Sequence, residues 1–188
     1  IIYTYHYINL LVLSLKQCLS KCKSGLLVKS RIFDYGEGRT MIAERLARCG
    51  IPAARVEMRG FSRGYLREYG DVDIALDPFP YTGGITTCEA LSMGVPVVTL
   101  AGESHGARFG VSLLTNAHLP ELVAQTPLDY VRIAAGLAAA PDTLRALRRN
   151  LRTMLRHAPL TDAAGYVHDV EDVYRSIWAK FVRAAGTA

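Results

Sequence analysis

Along most of the chain, short apolar runs alternate with stretches whose apolar residues recur at helical spacing, the pattern of a parallel sheet wrapped by helices. The runs at 26–29, 56–58, 72–76 and 97–99 read as strands, the last of them the β-branched series Val97, Val98, Thr99. Helical spacing predicts helices over 41–49, 65–69, 86–93, 108–114, 128–138, 143–157 and 163–185. Gly50 with Pro52, and Gly94 with Pro96, are stop signals after two of these. Pro120, Pro127, Pro141 and Pro159 can each open a helix at its first turn, where the missing N–H is not needed. In the last segment Val167, Val170, Val173, Tyr174, Ile177 and Trp178 form one apolar stripe, expected to pack on the core as a tail.

With 188 residues, half of them hydrophobic, the chain suits one folded domain and is short for two domains closing over a substrate. Residues 25–188 are expected to form that domain, and residues 1–24 a separate helical segment. The run from Ile1 to Leu15 is apolar, but Lys16 ends it before the roughly 20 residues a spanning helix needs. It also lacks the basic start and small-residue cleavage site of a signal peptide, so a buried or partner-covered helix is expected, with no membrane. The first residue is Ile, so missing upstream sequence is expected, and lysine gives way to arginine after Lys29, a change that a domain boundary near residue 25, a frameshifted start or a fused fragment would each produce.

The formal charge of +5 is spread along helices, and the cluster Arg145, Arg148, Arg149, Arg152 and Arg156 reads as a solvated helix face, so no nucleic-acid partner is expected. The cysteines and histidines lack paired-ligand spacing; free thiols in a reducing cytoplasm and no metal are the expectation.

Candidate chemistry concentrates in Asp73-Ile-Ala-Leu-Asp77-Pro-Phe-Pro-Tyr81-Thr-Gly-Gly-Ile-Thr86-Thr87-Cys-Glu89-Ala-Leu. This is a strand, a glycine loop and a helix start, placed where open parallel sheets bind ligands. Gly83 and Gly84 would let the backbone approach a ligand, and the helix start after them offers unpaired N–H groups with partial positive charge. Thr86 and Thr87 add hydroxyls, so an anion such as a diphosphate fits without a metal or a lysine. Glu89 could accept hydrogen bonds from ribose hydroxyls. The plainer alternative has the glycines in an ordinary turn, Thr86 as a helix cap and Glu89 complementing the helix dipole. Arg108 suits a phosphate or an ion pair with Glu103, His105 a loop or cap position, Tyr81 a stacking or packing role, and Asp77 the fixing of the turn through Pro78 and Pro80.

In order and spacing, the run Asp-Ile-Ala-Leu-Asp-Pro-Phe-Pro-Tyr-Thr-Gly-Gly, the Thr-Thr-Cys-Glu-Ala-Leu helix and Met-Gly-Val-Pro-Val-Val-Thr-Leu resemble the C-terminal catalytic lobe of the SPINDLY and O-linked N-acetylglucosamine transferase family. The likeness extends over roughly residues 25 to 180, through Gly102-Glu-Ser-His105-Gly-Ala-Arg108-Phe-Gly and Ala158-Pro-Leu-Thr-Asp.

That resemblance implies an α/β, Rossmann-like parallel sheet with flanking helices, one lobe of a two-lobed GT-B glycosyltransferase. It implies UDP-N-acetylglucosamine as donor substrate with no further cofactor, and Ser or Thr hydroxyls of proteins as acceptors. It also implies a missing N-terminal catalytic lobe and tetratricopeptide repeats as partners. Gly83, Gly84, Thr86 and Thr87 fall in the pyrophosphate loop, Glu89 at the ribose-contacting acid, residues 60–65 with Tyr65 in the loop framing the base, and Lys29, Ser30 and Arg31 near the cleft. Thr82 stands where an Asn is frequent and Ile85 where a third Thr is, which removes one hydroxyl contact; the loop framing the base is shorter than in many relatives and Tyr65 stands where a His is common, which leaves GDP-fucose as an alternative donor. The chain alone is expected to be inactive. Other readings are a noncatalytic nucleotide-sugar-binding module and an epimerase; the threonine-bearing loop argues against the epimerase.

Overall fold

The computed structural model describes residues 16–20 and 24–185, so the expectation for residues 1–15 lies outside the described residues. After a short helical stretch at 16–20, strand β1 (Leu26–Lys29) leads into helix α1 (Gly36–Arg48) and strand β2 (Val56–Arg59). A 3-10 helix, Tyr65–Asp71, then precedes β3 (Ala75–Leu76), α2 (Ile85–Ser92), β4 (Val97–Leu100), α3 (Phe109–Asn116) and β5 (Val123–Ala124). Three helices complete the chain: α4 (Pro127–Ala138), α5 (Pro141–Arg156) and α6 (Ala163–Ala185). All pairings are parallel, β1 with β2 in one sheet and β3-β4-β5 in the other, with Leu26 opposite Val56, Ala75 opposite Val97 and Thr99 opposite Val123. The expected fold class is therefore observed, because parallel neighbours need crossovers and the helical stretches supply them.

Successive residues of β4 show how the layers form. Val98 joins Val28, Phe33, Ile42, Tyr130 and Val131 on one face, whereas Val97 joins Leu91, Leu114, Leu151 and Leu155 on the other. The side-chain period of two sends neighbours to opposite faces, so a strand covered on both sides is apolar throughout. Leu91, Leu114, Leu151 and Val98 have no measurable exposure. Removing one such leucine side chain to Ala costs about 2–5 kcal/mol.

Local chemistry sets the helix boundaries. Pro127 and Pro141 begin α4 and α5, and Pro120 and Pro159 begin short 3-10 turns, as expected. Thr126 accepts the Asp129 N–H to cap α4, and Gly94, at φ +80°, terminates the chain's path out of α2.

Four expectations need correction. Helix α1 begins at Gly36, five residues before the apolar spacing starts. There Gly38 packs beneath Ile32, and Arg39 donates to the Phe33 carbonyl at 2.8 Å and the Met58 carbonyl at 3.0 Å. The strand expected over 72–76 pairs only at Ala75 and Leu76, because the Val72 carbonyl is taken by Arg148.

Arg148 also departs from the solvated-face reading: its guanidinium donates to the carbonyls of Tyr69 and Gly70, both at 3.0 Å, and so clamps α5 to the 3-10 helix. Helix α6 buries none of its residues. Tyr174, Trp178 and Phe181 are 68, 66 and 62% exposed, so the expected core-packing tail instead presents its apolar stripe outward. No described helix is long and apolar enough to cross a membrane.

Candidate functional site: the loop before α2

The loop between β3 and α2 leaves the sheet at the carboxyl ends of β3 and β4, where the crevice of an open parallel sheet lies. Asp77, the residue after β3, supports the loop from below. It is 3% exposed, and its carboxylate accepts the Gly83 N–H and the Thr99 hydroxyl, each at 2.7 Å. The Tyr130 hydroxyl donates to the Asp77 carbonyl at 3.0 Å. Burial drives the Asp77 carboxyl up to about 6, against the lowering effect of the hydrogen bonds from Thr99 and Gly83. The turn-fixing role expected of Asp77 thus has a specific form: it orders the glycine loop by holding one amide.

The two glycines differ. A Cβ on Gly83 would lie 2.7 Å from the hydroxyl oxygens of both Thr86 and Thr87 and 3.0 Å from Asp77, so the protein's own packing requires its absence. A Cβ on Gly84 would meet nothing within 4 Å, and Gly84 is exposed. The open approach to the backbone is therefore at Gly84.

Gly84 is also the N-cap of α2, and no side chain caps that helix, so Thr86 is not the cap that the plainer reading assigns. Its N-terminal N–H groups face the loop without a side-chain acceptor. Thr86 is half-buried and Thr87 buried, which leaves Thr86 the more accessible hydroxyl. Ile85, 79% exposed, lies beside them.

On one side of α2, the Tyr65 hydroxyl donates to Glu89 at 2.5 Å, which raises the phenol's proton affinity chiefly through that bond. Tyr69 donates to the Thr86 carbonyl at 3.4 Å. On the other side, Thr82 ties the loop to residues 102–110: its N–H and hydroxyl donate to the Gly106 carbonyl at 3.3 and 3.1 Å, and its oxygen accepts the Gly110 N–H at 3.3 Å. Tyr81, 64% exposed, lies over Gly106, and exposed Arg108 donates to the Gly102 carbonyl at 3.0 Å rather than pairing with Glu103. His105 is exposed and packs edge-on against Phe109 at 4.9 Å.

The structure therefore brings Gly83, Gly84, Thr86, Thr87, Tyr65 and Glu89 together around α2, with Tyr81 and Arg108 on the adjoining rim. Lys29 stands apart from this surface. It is 4% exposed and bound to Glu68 at 2.9 Å. Sequence reading placed it near the cleft and missed that pairing; a lysine ending an apolar strand was the available signal. Among the described residues no group of three or more His, Cys, Asp or Glu side chains is arranged to hold a metal ion. A hollow of about 460 Å³ lies at the opposite end of the strands, lined by Gly25, Leu26, Val56, Asp73 and Ile74.

Residues 19–170 match the sequence profile of Glycosyl transferase family 41. The chain belongs to that family. It is 38% identical over 161 residues to a barley protein named "Probable UDP-N-acetylglucosamine--peptide N-acetylglucosaminyltransferase SPINDLY", across 84% of this chain and 17% of the barley protein. A Caenorhabditis elegans UDP-N-acetylglucosamine--peptide N-acetylglucosaminyltransferase is 34% identical over 151 residues, 79% of this chain and 13% of its own length.

Among solved structures, a point mutant of Thermobaculum terrenum O-GlcNAc transferase superposes with a TM-score of 0.84 at 36% identity, covering 93% of this chain and 34% of that one. The family 41 chain thus spans about a sixth of the length of its barley relative and about a third of that solved structure.

Proposed function

We propose that this chain is the donor-binding lobe of a protein O-glycosyltransferase, and that the whole enzyme moves N-acetylglucosamine from UDP-N-acetylglucosamine to Ser or Thr hydroxyls of a protein acceptor. The observation that carries the reading is the uncapped start of α2 at Gly84, open to solvent at the carboxyl ends of β3 and β4. Amide N–H groups and the positive end of the helix dipole favour a diphosphate there, and Thr86 supplies a hydroxyl at its edge. Glu89 would accept from the ribose hydroxyls, and Tyr65 would flank the base. Gly83 and Thr87 keep the loop in place, while Tyr81 and Arg108 border the sugar or phosphate side.

In this reading the acceptor hydroxyl attacks the sugar carbon directly, the bond to the diphosphate breaks, the hydroxyl proton passes to the departing diphosphate, and the negative charge growing on that leaving group is stabilised by the α2 amides and Thr86. No covalent enzyme intermediate and no cofactor is invoked. The lobe's share is leaving-group stabilisation. A second, N-terminal lobe would orient the acceptor and exclude water, so this chain alone is expected to bind without turnover. The exposed apolar stripe of α6 supports a partner surface, and the relatives' greater length leaves room for that lobe and for helical repeats. A GDP-sugar donor is the alternative reading, because the resemblance leaves open whether Tyr65 would flank a purine or a pyrimidine.

Calorimetric titration with UDP and GDP, repeated on Thr86→Val and Glu89→Ala, tests the assignment. UDP binding that weakens about tenfold in each variant, from loss of one hydrogen bond to a charged or polar group, is expected. Unchanged UDP affinity in both variants would remove the site, and preferential GDP binding would replace the donor.

A further inference from the structure

We infer that Lys29 is a positioning residue for the nucleobase side of this site, acting through the 3-10 helix that carries Tyr65 and not by touching the ligand. The inference rests on the donor-binding reading above. An ammonium taken out of water is costly unless paired and hydrogen-bonded, and a lysine 4% exposed at a strand end therefore calls for a reason. Its Nζ donates to the Gly60 carbonyl at 2.8 Å, to Ser62 at 3.2 Å and to the Glu68 carboxylate at 2.9 and 3.0 Å. An ammonium has three hydrogens, and these partners take all of them, so none is left for a phosphate.

The partners are not scattered. Gly60 and Ser62 belong to the loop that leaves β2, and Glu68 belongs to the 3-10 helix Tyr65–Asp71, so one buried charge ties both ends of the connection to the end of β1. Glu68 is further held by Ser62, whose hydroxyl donates to it, and by Arg59 at 3.5 Å. In a 3-10 helix residues three apart stand one above the other, so anchoring Glu68 fixes the rotation of the turn that carries Tyr65. Tyr65 then reaches Glu89 at 2.5 Å on α2. Asp34 pins the same loop independently by accepting the Phe61 N–H at 2.9 Å. The result is a continuous path, Lys29 to Glu68 to Tyr65 to Glu89, from the first strand to the ribose and base side of the site. It bypasses Gly84, where the diphosphate would sit.

That separation makes the inference testable on the 188-residue chain. UDP and inorganic diphosphate are titrated, by NMR line positions, into the wild-type chain and Lys29→Met. The substitution keeps most of the apolar stem and leaves Glu68 with Ser62 and Arg59. The expected result is UDP affinity reduced about tenfold or more, as for other small displacements of a positioning group, with diphosphate affinity changed less than about twofold. Adding Glu89→Ala to Lys29→Met should cost less than the sum of the two single losses, because both act on one pair.

Equal loss for UDP and diphosphate, unchanged UDP affinity, or strict additivity with Glu89→Ala would each overturn the inference. If Lys29→Met does not fold, Glu68→Gln is held to the same three criteria. A wild-type chain that binds neither UDP nor diphosphate instead defeats the donor-site reading itself.

Discussion

The carboxylate of Asp77 accepts the backbone N–H of Gly83 at 2.7 Å, so a buried acid, not a ligand, sets the shape of the glycine loop. The same carboxylate accepts the Thr99 hydroxyl from the neighbouring strand, which makes β4 part of the loop's foundation.

The burial of that carboxyl, which outweighs its hydrogen bonds, predicts a pH dependence of stability. The Asp77 carboxyl stands at about 6 when folded against 3.8 ordinarily, so the folded state holds the proton more tightly than the unfolded state. Its contribution is therefore most favourable below about pH 4, declines as pH rises through the window to about 6, and stays unfavourable above it, by at most about 3 kcal/mol. Asp77→Asn keeps an oxygen for Gly83 and can donate to Thr99, and it should abolish this component. Urea denaturation of both proteins at pH 4.5 and 7.5 checks it: the wild type should lose more stability between the two pH values than the variant. A variant with the larger loss would show the charge to be favourable where it lies.

The clamp made by Arg148 predicts a large asymmetry along one helix. Arg148→Ala removes the donors to Val72, Tyr69 and Gly70 and should cost about 2–3 kcal/mol, the range for hydrogen bonds to a charged group. Arg145→Ala, which loses only an exposed pair with Asp142, should cost under about 1 kcal/mol. Equilibrium denaturation of the two variants measures the difference.

The unequal surroundings of Gly83 and Gly84 predict opposite outcomes for the same substitution. Gly83→Ala drives a methyl against Thr86, Thr87 and Asp77 and should destabilise by about 1–3 kcal/mol. Gly84→Ala meets open space, so stability should change by less than about 1 kcal/mol, while UDP affinity falls because the methyl stands over the amides. Thermal unfolding paired with UDP titration separates the two effects.

Trp178 provides a direct probe of α6. It is the chain's one tryptophan, 66% exposed and stacked on Phe181 at 5.7 Å. Its fluorescence should be red-emitting and readily quenched by acrylamide at low protein concentration. A blue-shifted, protected indole under those conditions would show that the stripe is covered.

Much of this protein was legible from residue order alone. Alternating apolar runs and helical spacings determined an α/β parallel architecture, because burial on both faces of a parallel sheet demands continuous apolar strands and helical crossovers. Glycine and proline marked helix ends, since their constraints are local, and the glycine loop with its two threonines marked the candidate site. Tertiary structure decided what depends on partners distant in sequence. The start of α1 rests on Arg39 reaching Met58, the shortening of β3 on Arg148 taking the Val72 carbonyl, and the burial of Lys29 on Glu68, 39 positions away. It also decided that α6 faces outward. A hydrophobic stripe records that a helix suits a partner, whereas whether the same domain supplies one depends on the space left after the other helices have covered the sheet.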